Sequence, residues 1–131
     1  MLSRFRERSA FAVLALSTIC IGLVVHRFGS ALPPTMRDVT GDALWAMMIF
    51  WLIGALFPEK PIVVRGALAL GICWVVEFSQ LYHAQPLDDF RATAIGHLVL
   101  GSDFGVRDLA AYALGVFAAL GLELAARRQP S

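Results

Sequence analysis

Residues 62–82 read IVVRGALALGICWVVEFSQLY, an apolar run interrupted only by Arg65 near its start and by Glu77, Ser79 and Gln80 near its end. A helix rises about 1.5 Å per residue, so roughly 20 apolar residues are needed to cross the hydrocarbon core of a bilayer. This stretch has that length, and so do three others, at about 10–28, 41–57 and 106–126. The expected fold is therefore all-α: a polytopic membrane protein with four transmembrane helices, forming one domain over residues 1–131.

Composition agrees with that reading. Apolar residues make up 58% of the chain and charged residues 16%, against about 45–50% and about 25% in soluble domains. The mean hydropathy is +0.69. No basic patch points to nucleic acid, and no phosphate loop, dinucleotide fingerprint or nucleophile elbow is present to hold a cofactor. Cys20 and Cys73 both fall inside spans and lack metal-type spacing, which predicts small buried apolar residues rather than a disulfide. Arg4, Arg6 and Arg8 before the first run resemble the start of a signal peptide. The run exceeds the usual h-region of about 7–15 residues, however, so a retained helix is expected.

Basic residues set the orientation. With the N-terminus in the cytoplasm, Arg4, Arg6, Arg8, Lys60, Arg65, Arg127 and Arg128 face inward, and only Arg27, Arg37, Arg91 and Arg107 face outward. In short loops this asymmetry places both chain ends in the cytoplasm, and a bacterial inner membrane is the expected address. Pro58-Glu59-Lys60-Pro61 reads as a tight inner turn. The first outer loop, about 29–40, contains Pro33-Pro34 and is expected to be extended. The second, His83–Gly105, is long enough to suggest function, with Ile95–Gly101 as a short interfacial or re-entrant helix.

Small residues at helical spacing predict where the helices approach. Ala111, Gly115 and Ala119 form one such row, and Ala67 and Gly71 another. Trp45, Trp51 and Trp74 suit lipid-facing or interfacial positions.

Glu77 needs the most explanation. It lies five residues before Tyr82, hence roughly 7–8 Å inside the outer end of the third span. A carboxylate at that depth normally faces the protein interior with a partner, and it sits near a helix C-terminus that disfavours negative charge. Gln80 shares its face, and the expected cations are Arg91, Arg107 and Arg37, since arginine binds carboxylates through two donors. Asp42 and Asp108 read as acids in the first turns of outward-starting helices, favoured by free N–H groups. Together with Tyr112 these residues fall at a similar outer depth, so the candidate polar site is Asp42, Glu77, Gln80, Arg91, Asp108 and Tyr112. His26, His83 and His97 lie on the same side without the pairwise spacing of a metal site.

Several blocks carry a resemblance. These are Gly41-Asp42-Ala43-Leu44-Trp45-Ala46, Val76-Glu77-Phe78-Ser79-Gln80-Leu81-Tyr82, Leu87-Asp88-Asp89-Phe90-Arg91-Ala92-Thr93, Gly96-His97-Leu98-Val99-Leu100-Gly101 and Arg107-Asp108-Leu109-Ala110-Ala111-Tyr112. They resemble the small bacterial membrane proteins of domain-of-unknown-function family 2809, which implies a membrane fold and no particular activity. More distantly the layout is similar to the VanZ-like family, linked to glycopeptide-antibiotic resistance. Glu77, Gln80, Arg91, Asp108 and Gly115 match that pattern, whereas Tyr112 stands where it has asparagine. The resemblance implies that these residues form one site.

Three readings of function stay open. The first is a non-enzymatic inner-membrane protein in an envelope or accessory role, whose outer cluster holds the bundle together or recognises a polar group. The second is an enzyme acting on lipid headgroups or lipid-linked cell-wall precursors, with Glu77 or Asp108 as base and Arg91 stabilising negative charge. The third is a small proton-coupled transporter working as a dimer. The bilayer is the one partner common to all three; a second copy of the chain or a larger membrane complex is compatible with each.

Overall fold

The computed structural model describes residues 2–82, 84–96 and 105–128. Among them are five helices: α1 (Leu2–Phe28), α2 (Pro34–Leu56), α3 (Ile62–Ser79), α4 (Gln85–Arg91) and α5 (Val106–Arg128), with a 3-10 turn at Gly29–Ala31 after α1. No strand occurs among the described residues. α1, α2, α3 and α5 are each long and apolar enough to cross a membrane.

The distribution of polarity is the reverse of that in a water-soluble protein. Large apolar side chains such as Leu16, Leu23, Val63, Val75, Leu114, Phe117 and Leu122 point outward, while Arg65, Glu77, Gln80, Arg91 and Glu123 are buried. Lipid solvates the first set, and the second must find partners inside the protein.

α2 is the hub. It packs on α1 at one side and on α3 and α5 at the other, while α3 and α5 pack on each other. The row Ala111, Gly115 and Ala119, which predicts a close approach without naming the partner helix, lies on α5 where it packs on α2. Ala111 and Ala119 are buried, and a Cβ added at Gly115 would lie 2.1 Å from the carbonyl oxygen of Ala43. Only glycine allows that approach. The second small-residue row behaves differently: Ala67 is exposed and Gly71 has nothing within 4 Å of an added Cβ.

α1 meets α2 through Phe11, Ala15 and Thr18, which share one helix face. Thr18 satisfies its own hydroxyl on the Leu14 carbonyl at 2.7 Å. The Phe11 ring lies over Gly54 and stacks on Trp51 at 6.1 Å.

Four expectations need correction. α2 begins at Pro34, not near 41, because only Leu32 and Pro33 are extended and Pro34 starts the helix, where its fixed φ and missing N–H cost nothing. α3 ends at Ser79, and Gln80, Leu81 and Tyr82 turn away. Cys20 is exposed whereas Cys73 is buried, and both are free thiols. Trp51 is buried in the core beside Phe50 and Phe11, not turned to lipid. The short helix expected at Ile95–Gly101 lies largely outside the described residues. Within that loop the described helix is α4, and residues 94–96 are also helical.

Candidate functional site

α2, α3 and α5 each bring one carboxyl to the same end of the bundle, where α2 and α5 begin and α3 finishes. Glu77 is the best enclosed, with no exposed surface. One of its oxygens accepts the backbone N–H of Gly105 at 2.8 Å, and the other accepts the hydroxyl of Tyr112 at 2.9 Å. Tyr112 is itself buried on α5. Glu77 thus ties α3 both to α5 and to the residue that leads into it.

Asp108, in the first turn of α5 as expected, comes within hydrogen-bonding reach of Glu77 and of Asp42. The close α2–α5 approach at Gly115 and Ala43 makes this possible, since Ala43 directly follows Asp42. The first-turn reading of Asp42 is overturned. With α2 starting at Pro34, Asp42 lies two turns inside the helix, beyond the reach of the free N–H groups at its start.

The arginines do not supply the counter-charge. Among the described residues no ion pair involves Asp42, Glu77 or Asp108. Arg107 instead meets Asp38 at 3.5 Å near the surface. Carboxyls this close repel when ionised, so the arrangement needs protons or a cation between them. Among the described residues no group of three or more His, Cys, Asp or Glu has the geometry to hold a metal.

Arg91 does something other than face Glu77. It is buried at the end of α4 and donates to the carbonyls of Ser79 at 2.6 Å and Tyr82 at 2.9 Å, and to Asp88 at 3.2 Å. A cation therefore sits on the C-terminal carbonyls of α3, where the helix dipole favours it. Its position offsets the penalty of placing Glu77 in the last turn. Gln80 is buried at the C-cap, with its backbone N–H on the Glu77 carbonyl at 3.1 Å. Arg91→Gln removes charged donors from two carbonyls, and is expected to lower stability by about 2 kcal/mol in thermal unfolding in detergent. An unchanged midpoint would show that water caps α3 equally well.

The structure thus joins Asp42, Glu77, Asp108 and Tyr112, and sets Arg91 and Gln80 at the adjoining helix end. A second polar group at the opposite end was not anticipated from sequence. Arg65, fully buried, donates both terminal nitrogens to Glu123 at 2.8 and 2.7 Å and its Nε to the Lys60 carbonyl at 3.1 Å. The available signal was one basic and one acidic residue, each about a turn inside a span at the same end of the bundle.

A protein-family description, protein of unknown function (DUF2809), matches residues 31–116. That segment contains α2, α3, α4 and the first half of α5, hence all six candidate site residues, while α1 and Glu123 fall outside it. No solved structure matches the chain. With the match covering well over half of its length, the chain belongs to the DUF2809 family.

Proposed function

We propose that this is a non-enzymatic multi-pass protein of the bacterial inner membrane, with both ends in the cytoplasm, serving an envelope or accessory role. In this reading the outer carboxyl cluster is a clasp that holds the outer loop and three helix ends in one arrangement. The observation that carries it is the enclosure of Glu77: each of its oxygens already accepts a donor from the protein, and the side chain is fully buried. A general base needs an oxygen free to reach a substrate proton. The orientation is supported by the grouping of Arg6, Arg8, Lys60 and Arg127 at the end where α1 begins, α2 turns into α3 and α5 finishes.

Two substitutions separate the clasp from a working carboxylate. Glu77→Leu leaves the Gly105 N–H and Tyr112 hydroxyl without an acceptor, at about 1–3 kcal/mol for each buried group. Glu77→Gln keeps an acceptor and adds a donor that can face Tyr112 or Asp108. The clasp therefore predicts a large loss of thermal stability in detergent for Leu and a small one for Gln. Growth under cell-envelope stress should follow stability. A Glu77→Gln protein with wild-type stability and a null growth phenotype would overturn the clasp in favour of proton transfer or catalysis.

A second reading has its own observation. Asp108 lies within reach of both Asp42 and Glu77, three carboxyls from three helices, and among the described residues no arginine or lysine is paired to them. Such a group can take up and release protons from the outer side. On that reading Asp42→Asn and Asp108→Asn would abolish function while leaving the fold intact.

A further inference from the structure

The end of the bundle opposite the carboxyl cluster carries unbalanced charge. Glu123 receives both terminal nitrogens of Arg65 and also Nη2 of Arg127 at 3.0 Å. One carboxylate thus serves two guanidiniums, and the triad is positive by one charge. Arg65 is sealed from solvent, with its central carbon 5.1 Å from the Phe11 ring and 5.5 Å from the Phe50 ring. Arg127 is 58% exposed.

Phe11 brings α1 into this group. Arg8 lies three residues before Phe11, so it shares that face of α1 one turn nearer the membrane boundary. Arg127 stands in the same relation to Glu123 on α5, four residues further toward the helix end. Arg65 links the two helices, with the Phe11 ring against its guanidinium and Glu123 bonded to it. Arg8 is exposed, and among the described residues neither it nor Arg6 forms an ion pair. Glu7 and Glu59 are exposed at the same end and, among the described residues, pair with none of these arginines.

Arg8, one helical turn beyond Phe11, and Arg127, one turn beyond Glu123, are both exposed, and at about 5 Å per turn they stand near headgroup depth. Their planar forks suit phosphate oxygens, which they can bind through two donors. A zwitterionic headgroup brings its own cation and gains less. We infer that this end of the bundle seats the phosphate of an anionic phospholipid, held by Arg8 of α1 and Arg127 of α5 over the Arg65–Glu123 pair.

The test is native mass spectrometry of the full chain in detergent with equimolar phosphatidylglycerol and phosphatidylcholine, repeated with excess inorganic phosphate. Wild type is expected to retain phosphatidylglycerol preferentially. Arg8→Gln and Arg127→Gln should each reduce that preference about fivefold, as expected for one basic residue at an anionic surface. The same lipid should raise the thermal midpoint of wild type but not of the double variant. Arg27→Gln with Arg37→Gln, at the other end, is the control and should leave the preference unchanged. Equal retention of both lipids, equal loss in the control, or displacement of the lipid by free phosphate would each overturn the proposal.

Discussion

Glu123→Ala is expected to cost about 3–5 kcal/mol, the range for leaving a buried charge without its partner. Arg65 has no exposed surface, and two of its three bonding groups end on Glu123. Only the Lys60 carbonyl would remain, and a neutral oxygen does not balance a guanidinium in an apolar surround. Arg65→Met with Glu123→Met should recover most of the loss, because apolar replacement of a buried pair is often neutral or stabilising. The double-variant cycle then measures the coupling itself. Asp38→Ala supplies the contrast: its partner Arg107 is half exposed at 3.5 Å, and the change should fall below about 1 kcal/mol. The readout is thermal or SDS-induced unfolding in detergent. A loss under about 1 kcal/mol for Glu123→Ala would mean that water reaches Arg65.

Gly115→Leu is the second large effect. The added Cβ would lie 2.1 Å from the Ala43 carbonyl oxygen and 2.9 Å from its Cα. Both are backbone atoms, so no rotamer change relieves the clash and the two helices must separate. Overpacking of this kind costs about 1–3 kcal/mol, and occasionally more. The upper end is expected here, because separation also draws Asp42 away from Asp108. Gly115→Ala should already show part of the loss. Gly71→Ala and Gly121→Ala meet nothing within 4 Å, and should be neutral or gain up to about 1 kcal/mol from helix propensity. Equal behaviour at all three positions would mean that α2 and α5 are free to slide.

The spans were legible because crossing a bilayer imposes a length and a composition that add up over many residues. Their ends were less so. Pro34 reads equally well as part of an extended Pro-Pro loop or as a helix start, and only packing decides. Glu77 stood out as a carboxylate in an apolar run, and Asp108 and Tyr112 were grouped with it by depth. The bonds that hold it were hidden, since a backbone N–H from Gly105 leaves no trace in the side-chain pattern. Arg91, with Arg107 and Arg37, reads as a cation for Glu77, but its charge is used on the carbonyls of Ser79 and Tyr82. Arg65 and Glu123 give little signal in the sequence, because charges one turn inside a span ordinarily reach back to the headgroups along their own stems. The bulk of Phe11 and Phe50 over Arg65, which keeps it from doing so, is visible only in three dimensions.

The division of labour around α2 has a consequence for synthesis on the ribosome. The α1–α2 contact joins neighbouring segments through apolar faces, so that hairpin can settle as soon as both segments have left the translocon. The Arg65–Glu123 and Glu77–Tyr112 bonds instead join α3 to the last helix. Through that interval the nascent chain holds an arginine and a glutamate whose partners have not yet been translated. Arg65 meets a carboxylate, and Glu77 the Tyr112 hydroxyl, only when that last helix arrives, so a chain cut short before α5 leaves both without these partners.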